Sequence, residues 1–302
     1  MLYISGLKII FSTSEMIKKQ TNPIPLNYWK IFGFEALMFA VTLALGILAG
    51  GRLKFLVASK TISLSPISIW QLFFSFILGT LALLFVVYFF KFKKPKKIFF
   101  KLILWGTVIF GNLFFWSLWL PDIFTLLLLV FLIWALKKQP FVWVFNLAIM
   151  LACAGVASAL GIQLAPIWVC VMMLIFAVYD FVAVYITKHM VKMAKEMIDQ
   201  EAVMGFVIPK TAHEFTSPIT EIKTEGKFMV LGGGDVVFPL ILVVACLSVN
   251  LWTSLIVAGA SLVGLLFIFL IFATQKTRRP LPALPPIALA SVLGYLLTTL
   301  WW

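Results

Sequence analysis

Long apolar runs alternate with short basic stretches along almost the whole chain, and most runs are long enough to cross a membrane as a helix. The first apolar piece, Met1 to Phe11, is interrupted by Lys8. It is too short to span and lacks a small-residue cleavage pattern, so residues 1–30 read as a cytoplasmic, interfacial segment. The pattern then predicts spans at about Ile31–Gly50, Ile67–Phe90, Ile98–Leu120, Ile123–Leu136, Phe141–Leu160, Ala165–Lys188, Phe228–Leu251 and Ser254–Ala273. A ninth opens at Pro280-Leu-Pro-Ala-Leu-Pro-Pro286 and ends at Trp301-Trp302, two aromatic anchors for the interface. Lys91–Lys97 and Gln275–Arg279 read as basic loops, and Pro121 turns the chain so that Asp122 caps the next helix. In the fifth span, Ala152-Cys-Ala-Gly-Val-Ala-Ser158 predicts a small-residue face for close helix packing. Residues 189–227 form the single hydrophilic insert; balanced charge and no long apolar period predict a largely mobile loop that orders on substrate. The expected fold class is an all-α polytopic membrane protein, one membrane-embedded domain over residues 1–302.

Composition agrees. With 63% hydrophobic and 12% charged residues and a mean hydropathy of +1.11, a chain of 302 residues cannot be a soluble domain. The net charge of +13 does not point to nucleic acid, because the basic residues cluster in loops, where topology and anionic lipid headgroups account for them. Of 24 Lys and Arg, 21 fall on the N-terminal side of the predicted topology and only Arg52, Lys54 and Lys60 on the other. The N-terminus and the 189–227 loop are therefore expected in the cytoplasm, with the C-terminus opposite. Cys153, Cys170 and Cys246 lie inside apolar runs and suit packing better than disulfides, and His189 and His213 are too isolated for a metal site. No metal or cofactor is expected.

Only three of the eleven acids fall within spans: Glu35, Asp180 and Asp235. Intramembrane acids are costly and mark functional sites by default. Glu35 sits one turn into the first span beside Lys30 and reads as reaching the interface. Asp180 lies eight residues before Lys188 and Asp235 eight after Lys227, so both sit about 12 Å in from the cytoplasmic end of consecutive, antiparallel spans if those are helical. Each acid also has a local explanation, Asp235 as a helix N-cap and Asp180 bonding to a neighbouring helix. Together at one depth they suggest a carboxylate pair. Two close carboxyls cannot both ionise comfortably and share a proton; one then takes a proton from water while the other donates to an amide carbonyl. The glycines beside Asp235 leave room for a substrate backbone.

Three motifs carry a family resemblance: Tyr179-Asp180, Gly232-Gly233-Gly234-Asp235 as a Gly-x-Gly-Asp pattern, and Pro282-Ala283-Leu284. In that order, on the sixth, seventh and ninth spans, they resemble the presenilin and signal peptide peptidase class of intramembrane aspartyl proteases. The resemblance implies a presenilin-like fold of nine transmembrane helices with the active site between the sixth and seventh. It implies that Asp180 and Asp235 are the catalytic dyad. It also implies that Tyr179, the three glycines and the Pro-Ala-Leu segment shape the site, and that the substrates are transmembrane helices of other proteins in the lipid bilayer. Gly233 stands where the family often has Leu, and the polar loop is shorter than in animal presenilins. The chain thus resembles compact microbial members that lack extra partners, and its orientation resembles presenilin. Two other classes share some of these features: a proton- or ion-coupled transporter with midplane acids, and a prepilin-type peptidase, which also carries Gly-x-Gly-Asp.

Overall fold

In the computed structural model, residues 28–63, 93–138, 141–187, 203–219, 228–275 and 280–301 are described, with scattered positions between 68 and 81 and residue 197. The N-terminal segment before Tyr28, most of the second predicted span and the Trp302 anchor lie outside them.

Among the described residues the apolar runs give eight helices in chain order: α1 (Tyr28–Ala58), α2 (Lys93–Ser117), α3 (Asp122–Lys138), α4 (Val142–Gly161), α5 (Pro166–Phe181), α6 (Gly233–Cys246), α7 (Leu251–Thr274) and α8 (Leu284–Trp301). Among the described residues, five apolar helical stretches are long enough to cross a membrane: Trp29–Ala58, Ile98–Ser117, Val142–Gly161, Pro166–Ile186 and Leu251–Thr274. Gly233–Ser248 and Leu284–Leu300 are shorter. At 31 residues α1 is about 46 Å long, more than a hydrocarbon core needs. It continues past the predicted stop at Gly50, where the missing side chain lets α1 close on Val244 of α6, so Arg52 and Lys54 are helical and not in a loop. α2 likewise starts inside the predicted Lys91–Lys97 loop, at Lys93, since Pro95 is compatible with a first turn. Asp122 falls in the first turn of α3, where an acid complements the helix dipole.

α4 is the centre, packed by α1, α2 and α6. Its small-residue face behaves as expected: a side chain at Gly155 would collide with the Gly111 carbonyl of α2, and one at Gly111 with the Ala152 backbone, so the two backbones touch. α7 and α8 pack as a pair on the other flank, and α6 runs between them, α4 and α1. Near the C-terminal end of α1, Arg52 Nε donates to the Leu118 carbonyl just past α2 (3.1 Å), and Lys54 Nζ donates to the Leu247 carbonyl at the end of α6. Cations suit these carbonyl ends.

The fold is mostly helical but not all-α. Strands β1 (Gly205–Pro209) and β2 (Phe228–Gly232) form an antiparallel hairpin in register Gly205↔Gly232 to Pro209↔Phe228. β1 lies inside the predicted mobile loop, yet all five of its residues are buried, because Gly-Phe-Val-Ile-Pro is an apolar run that needs cover. β2 replaces the first turn and a half of the predicted seventh helix. A 3-10 turn, Ala212–Thr216, follows β1 and is closed by Glu214, which accepts from the Lys210 and Thr211 amides (3.0 and 3.1 Å). Chain joins chain here: the Val142 amide at the start of α4 donates to the Ser217 carbonyl (3.0 Å).

Candidate active site

Asp180 occupies the penultimate position of α5, 6% exposed. The helix does not stop there but loosens into a π turn, Val182–Ile186, a conformation that recurs at functional sites. Asp235 comes from the opposite direction. β2 ends at Gly232, α6 starts at Gly233, and Asp235 is its third residue, so the N-cap position is held by Gly232 and not by the aspartate.

Both carboxyls line one cavity of about 380 Å³. Its walls are β2 from Met229 to Gly232, α7 at Ile268, Phe269 and Phe272, Pro280, Leu281 and Ala283 ahead of α8, Val184 of the π turn, and Glu35 of α1. No described Lys, Arg or His lines it. Three acids share the space, yet among the described residues no three His, Cys, Asp or Glu side chains are arranged to hold a metal ion.

Each aspartate is held by backbone. The Leu284 amide, the first of α8, hydrogen-bonds the Asp180 carboxyl, whereas Asp180 Oδ2 is buried with no partner among the described residues. Pro285 and Pro286 follow and have no N–H, so Leu284 supplies the single amide of that first turn. The Gly232 amide hydrogen-bonds the Asp235 carboxyl in turn. A Cβ at Gly232 would lie 2.8 Å from Asp235 Oδ2, so only glycine leaves the carboxyl where it is. At Gly233 a Cβ would meet the Met204 carbonyl at 3.2 Å, the same carbonyl that accepts from the Gly233 amide at 3.0 Å.

Between the two helices, Phe176 and Phe238 stack with ring centroids 4.6 Å apart. Phe176 lies one turn before Asp180 and Phe238 one turn after Asp235, so the stack joins the helices right beside the acids. Farther out, Asn146 of α4, 1% exposed, grips β1: its Nδ2 donates to the Val207 carbonyl (2.7 Å) and its Oδ1 accepts the Val207 amide (2.9 Å). One asparagine thereby occupies the strand edge that β2 does not.

Of the residues expected at the site, Asp180, Asp235, Gly232 and Ala283 line the cavity. Pro282 and Leu284 are buried behind it. Gly233 joins the strand to the helix, Gly234 lies against Phe238, and Tyr179 is 40% exposed and not on the cavity wall. The reading of Glu35 is overturned. It is 7% exposed and faces the cavity, because α1 packs against α6 and α7 with that face inward. Phe176, Phe238 and Asn146 were not singled out by sequence either; for the phenylalanines the one-turn spacing to an aspartate was the available signal.

The description "Signal-peptide peptidase, presenilin aspartyl protease" matches residues 56–302 of the chain. Two solved structures of a presenilin family intramembrane aspartate protease are similar. One, in space group C222, has 25% identity and a TM-score of 0.56 over 87% of this chain and 94% of that one. The other, in space group P2, is alike in fold, at 24% identity and a TM-score of 0.54 over 87% and 97%. No curated protein matches.

Proposed function

The chain belongs to the signal-peptide peptidase and presenilin family, and is a multi-pass intramembrane aspartyl protease; we propose that Asp180 and Asp235 are its two catalytic carboxyls. The single observation behind this is that both reach one cavity that no described cation enters. One carboxyl, ionised, removes a proton from a water molecule held between them. The other, protonated, donates to the scissile carbonyl oxygen as the water oxygen bonds to carbon. When the tetrahedral intermediate collapses, the proton returns to the departing amine and the C–N bond breaks. The substrates are transmembrane segments of other proteins, and the intact enzyme has nine spans with its N-terminus and the 189–227 loop in the cytoplasm.

A helical substrate protects its amides, so cleavage needs a partner for the hydrogen bonds lost on unwinding. β2 pairs with β1 along one edge, and its residues line the cavity. An unwound substrate that adds to β2 as a further strand has its main chain satisfied while it passes the dyad. The 280–283 stretch, kept out of helix by Pro280 and Pro282, flanks the same space.

The test is cleavage of a membrane-spanning peptide by purified protein in detergent, with products read by mass spectrometry. D180N and D235N are each expected to lose cleavage to background while keeping the wild-type melting profile. Cleavage by either variant at more than a few per cent of wild type would sink the assignment.

A further inference from the structure

Glu35 is a buried acid with no partner among the described residues. It makes no hydrogen bond or ion pair with any described residue, it is 7% exposed, and the surface it has faces the cavity that holds Asp180 and Asp235. A catalytic pair needs two carboxyls, and the mechanism leaves the third with no task. Burying an acid is costly, and buried charges in proteins are normally paired. No described cation lines the cavity. The missing partner is then one that arrives with the substrate.

The identity of that partner follows from charge. Membrane segments that end at the cytoplasmic face carry Lys or Arg immediately beyond the apolar stretch. Glu35 lies near the start of α1, the end that the distribution of basic residues assigns to the cytoplasm. β2 and the 280–283 stretch open onto the same cavity, so a segment lying along them passes Glu35 as well as the dyad. A lysine or arginine has a flexible apolar stem that reaches several ångströms along an apolar wall, and Phe269 and Phe272 supply such a wall here.

We propose that Glu35 is a specificity-determining residue: its carboxylate receives a lysine or arginine side chain that the substrate carries on the cytoplasmic side of the scissile bond. An approaching cation favours the ionised form of the acid, so the pair forms only when such a substrate is in place. Segments with a neutral residue there leave Glu35 unpaired, and segments with an acid there are repelled by the ionised carboxyls of the cavity. The assignment rests on the dyad reading above, because it takes the cavity to be where peptide bonds are cut.

The experiment uses single-span peptides that differ at one position, Lys or Met, moved residue by residue through the two turns cytoplasmic of the cleavage site. Met keeps an unbranched stem and removes the charge. For the wild-type enzyme the ratio of kcat/KM, Lys over Met, is expected to reach about tenfold at one or two positions, the size of a charge-assisted contact. In E35Q that ratio is expected to fall towards one. In E35K a Glu-bearing peptide should overtake the Lys-bearing one. An unchanged ratio in E35Q, or no preference for Lys in the wild type, overturns the proposal. If E35Q cleaves neither peptide, the same ratio is read from binding of the two peptides in a D235N background with and without E35Q, and equal ratios there overturn it too. Loss of the dyad reading shows differently: D235N would then cleave, whichever peptide is offered.

Discussion

Asp180 and Asp235 reach one cavity by opposite backbone routes. Asp180 rides near the end of sixteen residues of regular helix and is met from outside by an amide of another helix, Leu284. Asp235 sits at the very start of its helix and is met from within its own segment, by the amide of Gly232. The first arrangement depends on tertiary packing, since α8 must arrive with its N-terminus at α5. The second is local, set by a strand-to-helix turn where a side chain at Gly232 would push the carboxyl aside. Identical side chains thus have unlike sensitivities.

The sharpest way to break the local half is G232A. The added Cβ needs the space 2.8 Å from Asp235 Oδ2, so the carboxyl must move. Misplacement of a reacting group by about 1 Å costs about 100-fold in kcat, and a loss of that order is expected with the fold retained. A G232A enzyme within threefold of wild type would show that the turn tolerates a side chain and that the contrast is wrong.

For the tertiary half the matching change is L284Q. Leu284 is 3% exposed, and a polar head there must either stay buried without a partner or drag the first turn of α8 away from Asp180. About tenfold loss of turnover is expected, from an unmet buried group of 1–3 kcal/mol. Membrane insertion should be normal. Full turnover on a transmembrane peptide would remove the Pro-Ala-Leu segment from the site.

The smallest effect is expected farther from the dyad. N146L leaves the Val207 amide and carbonyl buried and unpaired, a cost of about 1–3 kcal/mol borne by the hairpin. Amide exchange in β1 and β2 should quicken relative to α4, with cleavage reduced only a few-fold. Unaltered exchange in β1 would show that the strand is held by other means.

Much of the site was legible before any coordinates. Two acids at one depth, a glycine cluster and a proline-rich start to the last helix are local features, and Asp180, Asp235, Gly232 and Ala283 from them line one cavity. The hairpin was partly legible: Gly205-Phe-Val-Ile-Pro209 is a short apolar run between breakers inside a polar loop, but the insert was read as a whole and its charge hid the strand. Phe228–Gly232 could not be separated from the apolar helix that follows, because an unbroken apolar run has no period to distinguish strand from helix. Glu35 was misread for a different reason. Near a helix end an acid ordinarily reaches water, and nothing local to α1 tells that its inward face meets a hollow instead of another helix.

The way α1 holds α6 has a mechanical consequence. Gly46 and Gly50 let α1 press against Leu240 and Val244, and Lys54 fastens the carbonyl of Leu247 at the far end. From Leu240 onward α6 is splinted. Ahead of that point Pro239 cannot donate to the carbonyl four residues back, which belongs to Asp235. The splinted part of the lever therefore ends one turn short of the carboxyl, and a bend of α6 at that point would shift Gly233-Gly234-Asp235 while leaving the bundle behind it in place.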